Sequence, residues 1–423
     1  MKFRYRNEDE MKDSEVEWIG KIPNQWDVIK GKYLFESNKV KNSGEFQNIL
    51  SLTLNGVIDR NKENFEGLQP ESFDGYQEFY KDNLVFKLID LENIKTSRVG
   101  YVHKFGLMSP AYIRLEKKKN ISVKYYYYNY YNYYNQNIYN FLGSVGVRSA
   151  LNSTDLLDLD IINNSFEEQE KIARFLDEKT AEFDSIISKK EALIEKLEEA
   201  KKSLISEVVT GKVKVVKTSD RYELVERKKE EMKDSGVEWL GYIPREWNIK
   251  KIKYVSSLKS GESITSDNIR DDAKYPVYGG NGLRGYTDRF THKGKYILIG
   301  RQGALCGNIN YTNDEFWASE HAIVVNPLLK VDTLWLGELL RSMNLNQYSI
   351  SAAQPGLAVG MIENLSIPFI EYNKQLVISD FINKKILEIK TTVEKTKQQI
   401  EKLKEAKQSL ISEAVTGKIE ILE

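Results

Sequence analysis

Met11 to Trp26 reads MKDSEVEWIGKIPNQW, and Met232 to Trp247 reads MKDSGVEWLGYIPREW. A second pair closes the pattern: Glu195 to Val213 (EKLEEAKKSLISEVVTGKV) returns as Glu401 to Ile419 (EKLKEAKQSLISEAVTGKI). Between each opening and its closing lies a long segment that is hardly repeated. A duplication that keeps its ends and discards its middles implies two equivalent docking surfaces holding two different recognition surfaces. The openings are offset by 221 positions and the closings by 206, so the first variable segment is 15 residues longer than the second. The 206 offset reaches back through Gln169/Gln375 and Ile161/Ile367 to Arg148 opposite Gln354.

The fold class that follows is α+β, a pseudo-two-fold internal repeat of two mixed α/β domains joined by two long antiparallel coiled-coil helices. The expected segments are a first domain at 1–162, a helix at 163–213, a charged linker at 214–231, a second domain at 232–368 and a second helix at 369–423. The helices rest on a 4,3 spacing. Leu176, Thr180, Phe183, Ile187, Lys190, Ile194 and Leu197 hold one register, and Ile382, Ile386, Ile389, Val393, Thr396, Ile400 and Leu403 repeat it. Sustained 3.5-residue periodicity belongs to a coiled-coil seam. Ser165 with Glu168 fits a capping box, and Gly211 and Gly417 stand where a C′ glycine belongs. Paired, the helices would hold the variable domains at a fixed distance; the alternative is that each packs on its own domain.

The variable segments lean towards strand. Residues 275 to 282 (YPVYGGNG) read as a turn-rich start, and 295 to 300 and 321 to 325 as buried strands. Residues 83–86 and 111–115 hold similar places in the first half. Tyr125 to Asn140 (YYYYNYYNYYNQNIYN) admits two readings, a stacking platform for bases or a helix packed within its domain, and the helix is preferred. Trp335 to Met343 is its expected counterpart.

Composition narrows the function. A chain of 423 residues exceeds one core, and 41% hydrophobic with 29% charged residues is ordinary for a soluble protein. No apolar run approaches a membrane span, and the start is too polar for a signal peptide. A lone cysteine, Cys306, excludes an internal disulfide and points to the cytoplasm. With 62 basic and 62 acidic residues the net charge is zero, so any hold on nucleic acid must come from local patches or a partner. The three histidines are scattered, no Cys/His cluster has metal-ligand spacing, no Walker-type loop appears, and no Pro-Pro dipeptide allows an amino-methyltransferase motif. The chain is expected not to be an enzyme.

What remains is polar loop chemistry suited to binding. Arg284, Arg289, Lys293, Lys295 and Arg301 stand against Asp288, a local excess of four positive charges, with glycines at 285, 294, 300 and 303. Arg301 and Gln302 are of the type that reads guanine and adenine edges, and Asn281 lies in the glycine turn. The aligned loops carrying Arg148 and Ser149 in one half and Gln354 in the other hold equivalent places with different polar side chains.

In this order, the twin Val-Glu-Trp-(Ile/Leu)-Gly…Ile-Pro openings, the 275–282 stretch, Gly300 to Ala304, Ala353 to Leu357 and the twin helix ends resemble the specificity subunit of a Type I restriction-modification system. The resemblance implies that each variable segment is a target recognition domain reading one half of a bipartite site on double-stranded DNA. It implies that the helices space the domains and dock two modification (methyltransferase) subunits, with restriction (motor-nuclease) subunits joining. S-adenosylmethionine is then held by the partner methyltransferase and no cofactor by this chain. The twin helix ends agree at 15 of 19 positions, polar ones included, which two copies of one partner surface would explain. Glu199, Lys201 and Ser206 with Glu405, Lys407 and Ser412 are the docking candidates. The first domain lacks the Gly-Arg-Gln-Gly and Gln-Pro-Gly stretches, which leaves its contact residues undefined. A coiled-coil scaffold binding proteins rather than DNA is the alternative from another class.

Overall fold

Each half opens on the same device. Met11–Asp13 pairs antiparallel with Lys21–Pro23, and Met232–Asp234 with Tyr242–Pro244. The tight connection needs a left-handed residue: Gly236 supplies it at φ +70°, and Glu15 occupies the same conformation at φ 63°. The computed structural model describes residues 2–42, 44, 48–60, 73–89, 91, 98–143, 150–219, 221–303, 305–349 and 356–422.

Two compact units emerge, Met1–Lys190 with Lys397–Glu423 and Glu191–Thr396, so the division falls inside both long helices. In each unit the strand after the opening motif pairs with the strand preceding a long helix: Asp27–Lys30 with Asp160–Asn163, and Asn248–Lys251 with Ser366–Phe369. Each unit also holds a four-stranded antiparallel sheet. In the first its order is Arg98–Tyr101, Leu84–Lys87, Ile113–Lys117, Phe35–Glu36. In the second it is Ile309–Thr312, Tyr296–Gly300, Ala322–Pro327, Ser256–Ser260.

A helix covers each sheet, Val123–Asn135 in one unit and Thr333–Ser342 in the other. Both are tied to the long helices by one buried glutamine. Gln169 Oε1 accepts from the Ser122 N–H at 3.0 Å, and Gln375 Oε1 from the Asp332 N–H at 2.8 Å. That role explains why this glutamine is kept in both halves: a helix N-terminus buried without a partner for its N–H groups is costly. The tyrosine-rich stretch is core, not a platform. Tyr125, Tyr126, Tyr130 and Tyr133 are buried, and burial raises each phenol pKa. Phe86 packs edge-on to Tyr130 at 5.2 Å.

Residues 275–279, read from sequence as part of a turn-rich start, are a strand whose hairpin partner is Gly282–Thr287; the turn is confined to Gly280 and Asn281. Within 214–231 the chain forms a hairpin, Val213–Lys217 against Tyr222–Glu226. Tyr222 is anchored there by Asp380, and burial, reinforced by that carboxylate, pushes its phenol up to about 12.

The long helices run Phe166–Val209 and Tyr372–Val415, 44 residues each. At the predicted seam Thr180, Ile187, Val393, Thr396 and Ile400 are buried, while the intervening positions are mostly exposed. Within the first unit the pairing is antiparallel: Lys190 donates to Gln399 at 2.7 Å and Lys407 to both oxygens of Asp184 at 2.7 Å. The capping box is half formed. Ser165 Oγ accepts the Glu168 N–H at 3.3 Å, but the Glu168 carboxylate turns to Trp26 Nε1 at 2.8 Å and to Arg6 at 3.2 Å. The first helix is thereby tied to the opening motif.

Candidate nucleic-acid interface

In the second unit the strand Tyr296–Gly300 is buried nearly to its end and then emerges as Arg301 and Gln302, both exposed. Its neighbours come closer than any side chain would allow. A Cβ on Gly300 would lie 2.1 Å from the Gly280 carbonyl oxygen, and one on Gly280 would lie 2.6 Å from that of Gln302. The two glycine stretches are therefore pressed backbone to backbone, which only glycine permits. The Arg301 N–H donates to the His321 carbonyl at 2.8 Å, and the Leu357 N–H donates to the Arg301 carbonyl at 2.9 Å. Gln302 forms a β-bridge with Gly356. Three stretches far apart in sequence thus meet at one corner, where Asn281, Arg301 and Gln302 present their side chains. Arg301 Nη1 is held by Ser260 Oγ at 3.2 Å.

Arg284 joins this corner, its Cδ lying 2.4 Å from where a Cβ on Gly279 would stand. Arg289 and Lys293 do not. The Arg289 guanidinium lies 5.8 Å from the Trp317 ring centre, and Lys293 pairs with Glu315 at 3.0 Å, at the end of its strand remote from Ser319. Lys295 precedes the buried strand. Arg148, Ser149 and Gln354 lie outside the described residues, as does most of the loop to which each belongs.

The first unit repeats two of these contacts, which sequence reasoning missed. Ile89 bridges Ala150 as Gln302 bridges Gly356, and the Leu151 N–H donates to the Leu88 carbonyl at 3.1 Å as Leu357 does to Arg301. The 206 offset that aligns Ala150 with Gly356 was the available signal. It did not suffice because strand Leu84–Lys87 lies where that offset no longer holds.

Among the helix candidates, Glu199 and Glu405 are exposed, with Lys196, Ala200 and Ser203 and their copies Lys402, Ala406 and Ser409 alongside. Lys407 is used internally by Asp184, and Lys201 pairs with Glu198. The Ser206 and Ser412 carbonyls accept the hydroxyls of Thr210 and Thr416 at 2.6 and 2.7 Å. Part of the identity between the helix ends is therefore structural.

Residues 244–402 match the family model of the Type I restriction modification DNA specificity domain. A stretch of 139 residues is 39% identical to the Type I restriction enzyme EcoprrI specificity subunit of Escherichia coli, covering 32% of this chain and 35% of that protein. A stretch of 127 residues is 26% identical to a putative type I restriction enzyme specificity subunit of Haemophilus influenzae, covering 29% of this chain and 32% of that protein. Each match spans about a third of the curated relative's length. A solved chain, from work on complex assembly and conformational transition of the type I R-M system, shares the fold over 93% of this chain and 98% of its own, with a TM-score of 0.67 at 10% identity.

Proposed function

We propose that this chain, a member of the Type I restriction-modification DNA specificity family, supplies sequence preference to a restriction-modification complex without catalysing a reaction itself. Each domain reads one half of a bipartite site on double-stranded DNA through its exposed corner. The long helices set the spacing of the half-sites. Their twin exposed faces around Glu199 and Glu405 dock two methyltransferase subunits, and motor-nuclease subunits join for cleavage. S-adenosylmethionine is held by the methyltransferase, and the assembly works in the cytoplasm.

The observation that carries this reading is one backbone bridge built twice with different exposed side chains, Gln302 in one copy and Ile89 in the other. A surface serving a single protein partner would keep its side chains along with its frame. Direct readout needs the opposite, a constant frame with exchangeable side chains, polar or apolar. A zero net charge accords with phosphate contacts made largely by partner subunits.

Selection of duplexes from a random library by the chain assembled with its methyltransferase subunit tests the reading. Enrichment of two short sequences at fixed separation is expected. Binding without sequence preference would favour the scaffold alternative.

A further inference from the structure

Each domain carries a tight hairpin at the same point of its chain. In the first, Leu50–Thr53 pairs with Gly56–Asp59, and in the second Tyr275–Gly279 pairs with Gly282–Thr287. Each stands between corresponding strands of the four-stranded sheets, after Phe35–Glu36 and before Leu84–Lys87 in one unit, after Ser256–Ser260 and before Tyr296–Gly300 in the other. Both loops are two residues long, Leu54-Asn55 and Gly280-Asn281, and both end on an exposed asparagine followed by glycine. Neither repeat offset, 221 or 206, brings Asn55 onto Asn281, so the match is one of structure. The two tips also go to the same place. In the first unit Gly106 stands opposite Phe79 and Gly100 opposite Val85. A Cβ on Gly106 would lie 2.6 Å from Leu50 Cγ, and one on Gly100 would lie 2.6 Å from Leu52 Cδ1. The hairpin therefore advances in the same sense as Leu84–Lys87 and carries its turn towards the end of that strand, where Ile89 bridges Ala150. In the second unit Gly280 meets Gly300 at the end of the matching strand, and Asn281 follows it.

The turns do not need these asparagines. Asparagine usually earns its place in a two-residue turn by tolerating positive φ. Here the left-handed residue is the glycine that follows, Gly56 at φ +93° and Gly282 at φ +95°, and neither asparagine is left-handed. Thr53 holds the first loop, its hydroxyl donating to the Gly56 carbonyl at 2.9 Å and accepting the Asn55 N–H at 3.2 Å. Among the described residues neither side-chain amide has a hydrogen-bond partner. In the major groove adenine alone sets an acceptor, N7, beside a donor, N6, and a planar amide meets both at once. We infer that Asn55 reads an adenine in the half-site of the first domain, Nδ2 donating to N7 and Oδ1 accepting from N6, as Asn281 does in the other half-site. This rests on the proposed role in DNA recognition and adds to it a reading residue in the first domain and the base that it reads.

The test uses the chain assembled with its methyltransferase subunit and the site that it selects from a library. The half-site of the first domain is the one altered when residues 27–162 are exchanged for those of a relative. Its adenines, on either strand, are replaced one at a time by 7-deazaadenine, which removes the N7 acceptor and leaves the pairing edge intact. One replacement should weaken binding by on the order of tenfold, part of what a bidentate contact contributes. Asn55→Ala should bind that duplex and its unsubstituted parent alike. The isosteric Asn55→Asp should exchange the preference for adenine at that position for cytosine, whose N4 donates to a carboxylate. The half-site of the second domain should be unchanged in both variants, and Asn281→Ala should give the mirror result. A first half-site without adenine, indifference of the wild-type complex to every replacement, an Asn55→Ala variant that still senses N7 at the same position, or one weakened equally on all sequences would each overturn the inference while the selected site keeps the broader reading intact. No enriched site at all would overturn both.

Discussion

Gly417, at φ +71°, sits against Pro23, with the position of its missing Cβ 2.5 Å from the proline Cγ and 2.9 Å from the tip of Trp26. The glycine that closes the second repeat is thus seated on the opening motif of the first. Gly211, at φ +80°, makes the reciprocal contact, 2.7 Å from both Pro244 Cδ and the Trp247 ring. Each opening motif is closed by the end of the other repeat's helix, and Ile411, Ala414 and Val415 enter one core as Ile205, Val208 and Val209 enter the other. The twin sequences are alike because each is one half of the same interface.

Gly417→Ala should therefore destabilise the first unit by more than its backbone conformation alone. The left-handed region costs a non-glycine residue about 1–2 kcal/mol. The overlap with Pro23 and Trp26 comes on top of that. Gly20→Ala is the control, since Gly20 has φ +69° and nothing within 4 Å of its Cβ position. Denaturant unfolding of the two variants compares them, and equal losses would mean that the proline cradle contributes nothing.

The chain ends should tolerate being joined. Phe3 pairs with Ile421 as Leu224 pairs with Val215, the second pair belonging to the 213–226 hairpin. A permutant that inserts a copy of residues 218–221 between Glu423 and Met1 and opens the hairpin at that turn keeps every strand pair. Circular dichroism, melting temperature and selected site should match those of the parent. A permutant that is unfolded despite a sound linker would show that the hairpin's continuity is needed.

Gln302→Ala should relax preference at one position of the second half-site, by roughly 1–3 kcal/mol if a bidentate contact is lost. Lys293→Ala should change affinity by less than about 1 kcal/mol, because Lys293 is exposed and paired with Glu315 away from the corner. Binding to single-substitution duplexes separates the two. A uniform loss over all sequences for Gln302→Ala would make it a positioning residue.

A heptad inserted after Lys190, matched by one after Thr396, keeps the seam in register and lengthens each helix by about 10 Å. That is roughly three base pairs at 3.4 Å per pair. Selection over a library of spacer lengths should show a longer preferred spacing with both half-site sequences unchanged. A folded variant that retains the original spacing would separate the helices from that role. A three- or four-residue insertion should instead expose Ile187, Val393 and Ile400 and weaken assembly.

Local chemistry decided much of this protein from the sequence. The seam positions, the left-handed C′ glycines and the helical tyrosine stretch depend on residues within a few turns of one another, where periodicity and conformational preference are sufficient. The resemblance carried by the repeated ends, and the family-model match over residues 244–402, rest on motifs of the same local kind. Three things required the tertiary structure. The contact of Gly417 with Pro23 joins residues from opposite ends of the chain, and no spacing in the sequence says which opening motif a closing glycine meets. Glu168 was legible as a capping residue, yet Trp26 and Arg6 outcompete the backbone for its carboxylate because the fold brings two donors to it. The corners at Gln302 and Ile89 exist only where a strand end and the approach to a helix converge, an arrangement set by sheet register. Register is fixed by the summed packing of each sheet face, and the offset between the halves shifts from strand to strand, so the match of Ile89 to Gln302 became visible only once the two sheets were laid out strand by strand.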